Sequence, residues 1–94
     1  MTETPAWRDD ATDLTLRLLY QSGIAVSVDG IVANLAALAE SAPPADAVEE
    51  AVAKLRKRDH VRALSEADRF YLLTDRGREY VEAEVDAEAF GYVD

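Results

Sequence analysis

The stretch Val48-Glu-Glu-Ala-Val-Ala-Lys-Leu-Arg-Lys-Arg-Asp-His-Val61 decides the fold of this chain. Its apolar residues Val48, Val52 and Leu55 recur at i, i+4 and i+7, which is the spacing of the buried face of a helix. Two prolines stand just before this stretch, and proline suits the first turn of a helix but not its interior. We therefore predict a helix over residues 45–58 whose three large apolar side chains turn toward the core.

The pattern changes after this helix. Residues 60–64 and 70–73 are short runs with Val, Leu and aromatic residues, and such runs are typical of strands joined by a short loop. Thr74 and Asp75 follow, and this pair is typical of a helix start because the hydroxyl caps the first turn and the acid suits its positive end. We predict a β-hairpin and then a helix that begins at Asp75.

Two more helices are predicted upstream, over residues 10–22 with Asp10 as the cap and over residues 28–40 with Ser27 as the cap. Residues 24–27 between them are short and partly β-branched, which suits a stub of strand. The expected fold is therefore α+β and mainly α. It has a three-helix core, a two-stranded β-hairpin and a C-terminal helix.

A chain of 94 residues is long enough for one domain. We predict a flexible leader over residues 1–9 with Trp7 as its one anchor, a domain over residues 10–89 and a tail over residues 90–94. Aromatic residues stand near both termini and are candidates for a dimer patch: Trp7, Phe90 and Tyr92.

The composition is strongly acidic, with 19 acidic against 10 basic residues and a net charge of −9. Lysine occurs only twice and cysteine not at all, so disulfides and thiolate metal sites are excluded. This composition resembles that of proteins from salt-loving archaea; an ordinary acidic protein is the alternative. No apolar run approaches the roughly 18–20 residues that a membrane span needs, and no signal peptide is evident. We therefore expect a cytoplasmic protein.

The charges are unevenly distributed along the chain. Residues 54–78 hold eight basic and four acidic residues, a net charge of +4, whereas the remainder holds two basic and fifteen acidic residues, a net charge of −13. A basic segment within an acidic chain indicates a local binding surface for a negatively charged partner.

The quoted helix with its sequel, residues 48–61, resembles the recognition helix and first wing strand of winged helix regulators. The ending Phe70-Tyr-Leu-Leu-Thr-Asp-Arg-Gly-Arg-Glu-Tyr80 is similar to the "Y-x-L-T-x-x-G-R-x-Y" ending that many archaeal and bacterial winged helix repressors share. The sequence as a whole most resembles the small winged helix proteins of haloarchaea and their phages. The resemblance covers about residues 13–85. It implies a winged helix-turn-helix fold and binding to double-stranded DNA.

The same resemblance assigns roles to individual residues. It implies that the third helix enters the major groove and that the hairpin contacts the DNA backbone. The residues of the helix face that would read bases are Asp46, Glu49, Glu50 and Ala53, with Lys57 behind them. The residues expected to contact phosphates are Lys54, Lys57, Arg58, Arg62 and Arg69.

The acidic residues of this helix face depart from the family pattern. A carboxylate is repelled by phosphate. Among the bases, only cytosine offers it a direct favourable contact, a hydrogen bond from the N4 amino group. The basic residues 54–58 also have a simpler interpretation, because they suit the negative end of the helix and Lys54 is placed to pair with Glu50. Glu66 and Asp68 at the hairpin tip do not favour a minor-groove contact.

No catalytic constellation, glycine-rich phosphate loop or cofactor motif is present in the sequence. His60 is the only histidine, and we interpret it as a structural residue at the start of a strand rather than a metal ligand. Two hypotheses follow. The chain is a DNA-binding transcriptional regulator that acts as a homodimer, or it is a winged helix module that binds another protein and no longer reads DNA.

Overall fold

The computed structural model describes residues 5–65 and 69–85. The tail over residues 90–94 and the hairpin-tip residues Glu66 and Asp68 lie outside the described residues. The elements form a small α+β fold that is mainly helical, in this order: α1 (Asp10–Ser22), β1 (Val26–Ser27), α2 (Val28–Leu38), α3 (Ala45–Lys57), β2 (Val61–Ser65), β3 (Phe70–Leu73) and α4 (Asp75–Glu84).

The core lies between α1, α2 and α3, and the sheet and α4 close it. Val48 and Leu55 are fully buried and Val52 is 4% exposed, so the predicted inward face of α3 is confirmed. Burying a Val or Leu side chain contributes roughly 1.5–3 kcal/mol to stability. Leu16 and Leu19 of α1 meet this face and have almost no exposed surface.

The sheet has three antiparallel strands in the order β1-β3-β2, so the prediction of a two-stranded hairpin was wrong in its strand count. Val26 pairs with Tyr71 and Ser27 pairs with Phe70. A hairpin alone would leave the second edge of β3 unpaired, and β1 supplies hydrogen-bonding partners for it. The short strand between α1 and α2 therefore belongs to the same sheet as the hairpin.

Side chains alternate across the hairpin as expected for a half-buried sheet. Val61 and Tyr71 are buried, whereas Phe70 and Leu64 are 41% and 56% exposed. The regular pairing of β2 with β3 is interrupted between Ala63 and Ser65, and such a bulge bends the edge strand.

Capping residues fix the helix ends. Asp9, not the predicted Asp10, caps α1: its carboxylate accepts from the Thr12 amide at 2.9 Å, and the Thr12 hydroxyl accepts from the Asp9 amide at 2.8 Å. Gly23 ends α1 with a left-handed φ of 68°, which glycine adopts without a steric penalty. No helix within the described residues is long and apolar enough to cross a membrane.

The start of α4 lies directly against the start of β2. The Thr74 hydroxyl accepts from the Gly77 amide at 3.0 Å, which confirms Thr74 as the cap, and donates to the Asp59 carbonyl at 2.6 Å. A Cβ atom on Gly77 would overlap the backbone carbonyl of His60. Glycine at this position therefore allows α4 to approach the residue that precedes β2.

Candidate functional site

A groove runs between the first turn of α2, the outward face of α3 and the end of the hairpin. It consists of two adjoining depressions of about 250 and 200 Å³. Both are bordered by Val28, Glu49 and Arg69, and the groove as a whole is lined also by Ser27, Asp29, Val52, Ala53, Arg56 and Tyr71. It brings together three of the residues predicted from the sequence: Glu49, Ala53 and Arg69.

The outward face of α3 follows from the helical repeat. Glu49, Ala53 and Arg56 stand at i, i+4 and i+7 and are all exposed, whereas the buried residues of α3 occupy the other side. Arg56 was not among the predicted site residues, although its spacing from Glu49 would have placed it on this face. Its guanidinium carbon lies 5.5 Å from the centre of the Tyr71 ring, a cation–π contact that holds the charge at the edge of the groove.

Arg69 reaches the groove from the hairpin. It stands immediately before β3 and has a left-handed φ of 57°, which is uncommon for a residue with a side chain. Its side chain is exposed and borders both depressions. Two arginines from different elements, Arg56 and Arg69, therefore line one groove with the acidic residues Asp29 and Glu49.

Lys54 and Arg58 belong to a different surface. The ammonium group of Lys54 lies 2.9 Å from an Asp9 carboxylate oxygen, and the guanidinium carbon of Arg58 lies 5.0 Å from the centre of the Trp7 ring. Burial of Asp9 opposes its ionisation, but hydrogen bonds from the Thr12 amide and from Lys54 outweigh it and lower the pKa of Asp9. The expected pair of Lys54 with Glu50 is not found among the described residues.

The other predicted site residues are separate exposed groups. Asp46, Glu50 and Lys57 lie on the exposed surface of α3, and Arg62 lies on the outer face of β2, opposite Leu72 in the register. Asp46 is in the first turn of α3, where an acid is stabilised by the helix dipole. The five predicted phosphate contacts are thus distributed over the groove, the hairpin face, the exposed surface of α3 and the contact with residues 5–9.

Trp7, His60 and Tyr80 form an aromatic cluster beyond the C-terminal end of α3. His60 stacks on Tyr80 with ring centres 4.7 Å apart, and the Trp7 ring lies 5.5 Å from His60 and 5.6 Å from Tyr80. Trp7 therefore packs against its own chain. Phe90 and Tyr92, the other members of the expected dimer patch, lie outside the described residues.

His60 is 6% exposed and its Nδ1 atom is buried without a hydrogen-bond partner. Burial lowers the pKa of His60, and the positive charges of Arg58 and Arg76 lower it further, while Asp59 opposes them. Burial of the ring beside Trp7 and Tyr80 therefore favours the neutral form of His60.

Among residues 5–65 and 69–85, no group of three or more His, Asp or Glu side chains converges as a metal site. Comparisons of the chain with models of protein families, with curated proteins and with solved structures found no match.

Proposed function

We propose that this chain is a transcriptional regulator of the winged helix type that binds double-stranded DNA as a homodimer in the cytoplasm. The observation that carries the proposal is the groove in which Arg56 of α3 and Arg69 of the hairpin border the same exposed helix face. Arginine side chains from a helix and from a neighbouring hairpin are the groups that contact phosphates and base edges in DNA complexes.

The order of the elements supports this proposal. In winged helix proteins a helix precedes the hairpin and enters the major groove, while the hairpin contacts the backbone. Here α3 directly precedes β2 and β3, its inner side is buried, and its outer side faces solvent beside Arg69. The arrangement leaves one full face of α3 available for an extended partner.

The overall charge of −9 opposes approach to DNA at low salt but has little effect at high salt. The screening length is about 10 Å at 0.1 M salt and about 3 Å at 1 M. At molar salt, the distant acidic residues are therefore screened while direct contacts by Arg56 and Arg69 persist. Lys54 and Arg58 contribute less, because Asp9 and Trp7 already engage them.

Fluorescence anisotropy with the DNA upstream of its own gene, at several KCl concentrations, tests the proposal. Arg56→Ala and Arg69→Ala are each expected to weaken binding to all duplexes and to reduce the salt slope by about 1, as expected for the loss of a phosphate contact. Arg78→Ala is the matched control, because Arg78 lies over the Tyr20 ring and does not line the groove. Absence of binding at every salt concentration contradicts the proposal, and so does an equal loss in all three variants.

A second candidate, a protein-binding module, is favoured by a specific observation. Ile24, Leu64 and Phe70 are 63%, 56% and 41% exposed. Ile24 and Phe70 line the same depression, and exposed apolar surface shared by neighbouring residues is typical of protein contacts. If this function is the correct one, Phe70→Ser abolishes capture of a protein partner while the chain shows no affinity for DNA. DNA binding by both the wild-type chain and the Phe70→Ser variant, with no protein partner captured by the wild-type chain, would favour the first candidate.

A further inference from the structure

Glu49 lies where α3 lines the groove. It is the acidic residue that borders both depressions, with Arg69 on the hairpin side and Arg56 two turns further along α3. Its side chain is exposed, so its position does not depend on packing in the core.

The carboxylate of Glu49 is not used by the fold. The ion pairs among the described residues join Arg8 to Asp13 and Lys54 to Asp9, and neither involves Glu49. Asp46 lies in the first turn of α3, where the helix dipole stabilises an acid, but Glu49 is the fifth residue of Ala45–Lys57 and lies beyond the first turn, to which this effect is confined. The Glu49 carboxylate makes no ion pair with a described residue and shares its groove with two arginines, so it is available to a ligand.

An ionised carboxylate can only accept hydrogen bonds. In the major groove guanine presents two acceptors, thymine presents an acceptor and a methyl group, and adenine presents an amino donor beside an acceptor. Cytosine alone presents its N4 amino donor without an adjacent acceptor. We infer that Glu49 is a specificity-determining residue that accepts a hydrogen bond from the N4 amino group of a cytosine in the DNA site.

This inference rests on the proposed DNA binding and adds a role for the acidic face of α3. Glu49 repels phosphate, so it weakens binding to any duplex that places no cytosine amino group opposite it. Arg56 and Arg69 offset this repulsion when the cytosine is present, because they hold positive charge in the same groove. Glu49 therefore lowers the affinity for non-specific DNA and favours DNA sites that place a cytosine opposite it.

The test is selection from a randomised duplex library at 1 M KCl with the wild-type chain, Glu49→Gln and Glu79→Gln. The wild-type chain is expected to enrich cytosine at one position of each half-site, by about tenfold or more over other bases. Glu49→Gln is expected to enrich adenine there, because a glutamine amide both donates and accepts and pairs with adenine N6 and N7. Glu79→Gln makes the same substitution at an exposed position of α4 that lines neither depression of the groove, and it is expected to retain cytosine.

The outcomes separate this inference from the proposed function. An unchanged base at that position in Glu49→Gln overturns the role of Glu49, and so does a shift of equal size in Glu79→Gln. Salt-dependent binding of the wild-type chain without any base preference also overturns it, while DNA binding itself stands. If no duplex is retained at any salt concentration, both proposals fail. Circular dichroism confirms that the exposed substitutions leave the fold intact.

Discussion

His60 couples the stability of the fold to pH. It lies between Trp7 and Tyr80 with its Nδ1 unpartnered, and its pKa is lowered by burial and by Arg58 and Arg76. As the pH falls below about 6.5, the unfolded chain takes up a proton before the folded chain does. The stability that neutral His60 provides is therefore complete above about pH 6.5 and is lost as the pH falls toward its lowered pKa.

We expect the midpoint temperature of thermal unfolding of the wild-type chain, measured at high KCl, to decrease as the pH is lowered from about 7.5 to about 5.5. His60→Phe keeps a flat ring against Trp7 and Tyr80 but does not titrate, so its midpoint should change much less over that range. Parallel pH profiles for the two proteins would show that another group causes the dependence.

At the scale of single residues, the sequence predicted which side chains are buried better than it predicted which side chains contact each other. The inward positions of α3 follow from a repeat within one helix. The contacts of Lys54 with Asp9 and of Arg58 with Trp7 join residues that are far apart in the chain, which no local pattern encodes. For that reason the basic residues were expected on one surface, whereas the structure distributes them over several.

At the scale of elements, the helices were predictable from apolar spacing and caps, and α1, α3 and α4 begin where expected. α2 ends at Leu38, two residues before its predicted end, because Ala39 is already extended. The pairing of β1 with β3 was not predictable. A strand of two residues is too short for its alternation of apolar and polar side chains to specify which strand it pairs with. The groove depends on this assembly, because Ser27, at the junction of β1 and α2, and Arg69, at the start of β3, both line it.

The junction between α3, β2 and α4 depends on the Thr74 hydroxyl, which makes hydrogen bonds to two elements. Thr74→Ala removes the acceptor for the Gly77 amide and the donor to the Asp59 carbonyl, and we expect it to cost about 1–2 kcal/mol of unfolding free energy. Thr74→Ser keeps both bonds and should cost less than about 0.5 kcal/mol. Chemical denaturation at constant KCl measures both values, and equal losses would contradict the role of the hydroxyl.

At the scale of the whole molecule, mutual repulsion among the acidic residues opposes folding. A net charge of −9 on 94 residues destabilises the compact state, and salt reduces this repulsion as the screening length falls from about 10 Å at 0.1 M to about 3 Å at 1 M. We therefore expect the midpoint of thermal unfolding to rise steadily with KCl concentration.

Neutralising exposed acids on α4 separates screening from other effects of salt. Glu79 and Glu84 are exposed, and the double variant Glu79→Gln, Glu84→Gln removes two negative charges without disturbing the core. It should be more stable than the wild-type chain at about 0.1 M KCl, because each removed charge relieves repulsion from the others. The difference should disappear at about 2 M KCl, where that repulsion is already screened. An equal gain at both concentrations would mean that helix propensity, not charge, causes it, and that the acidic surface imposes no electrostatic cost for salt to relieve.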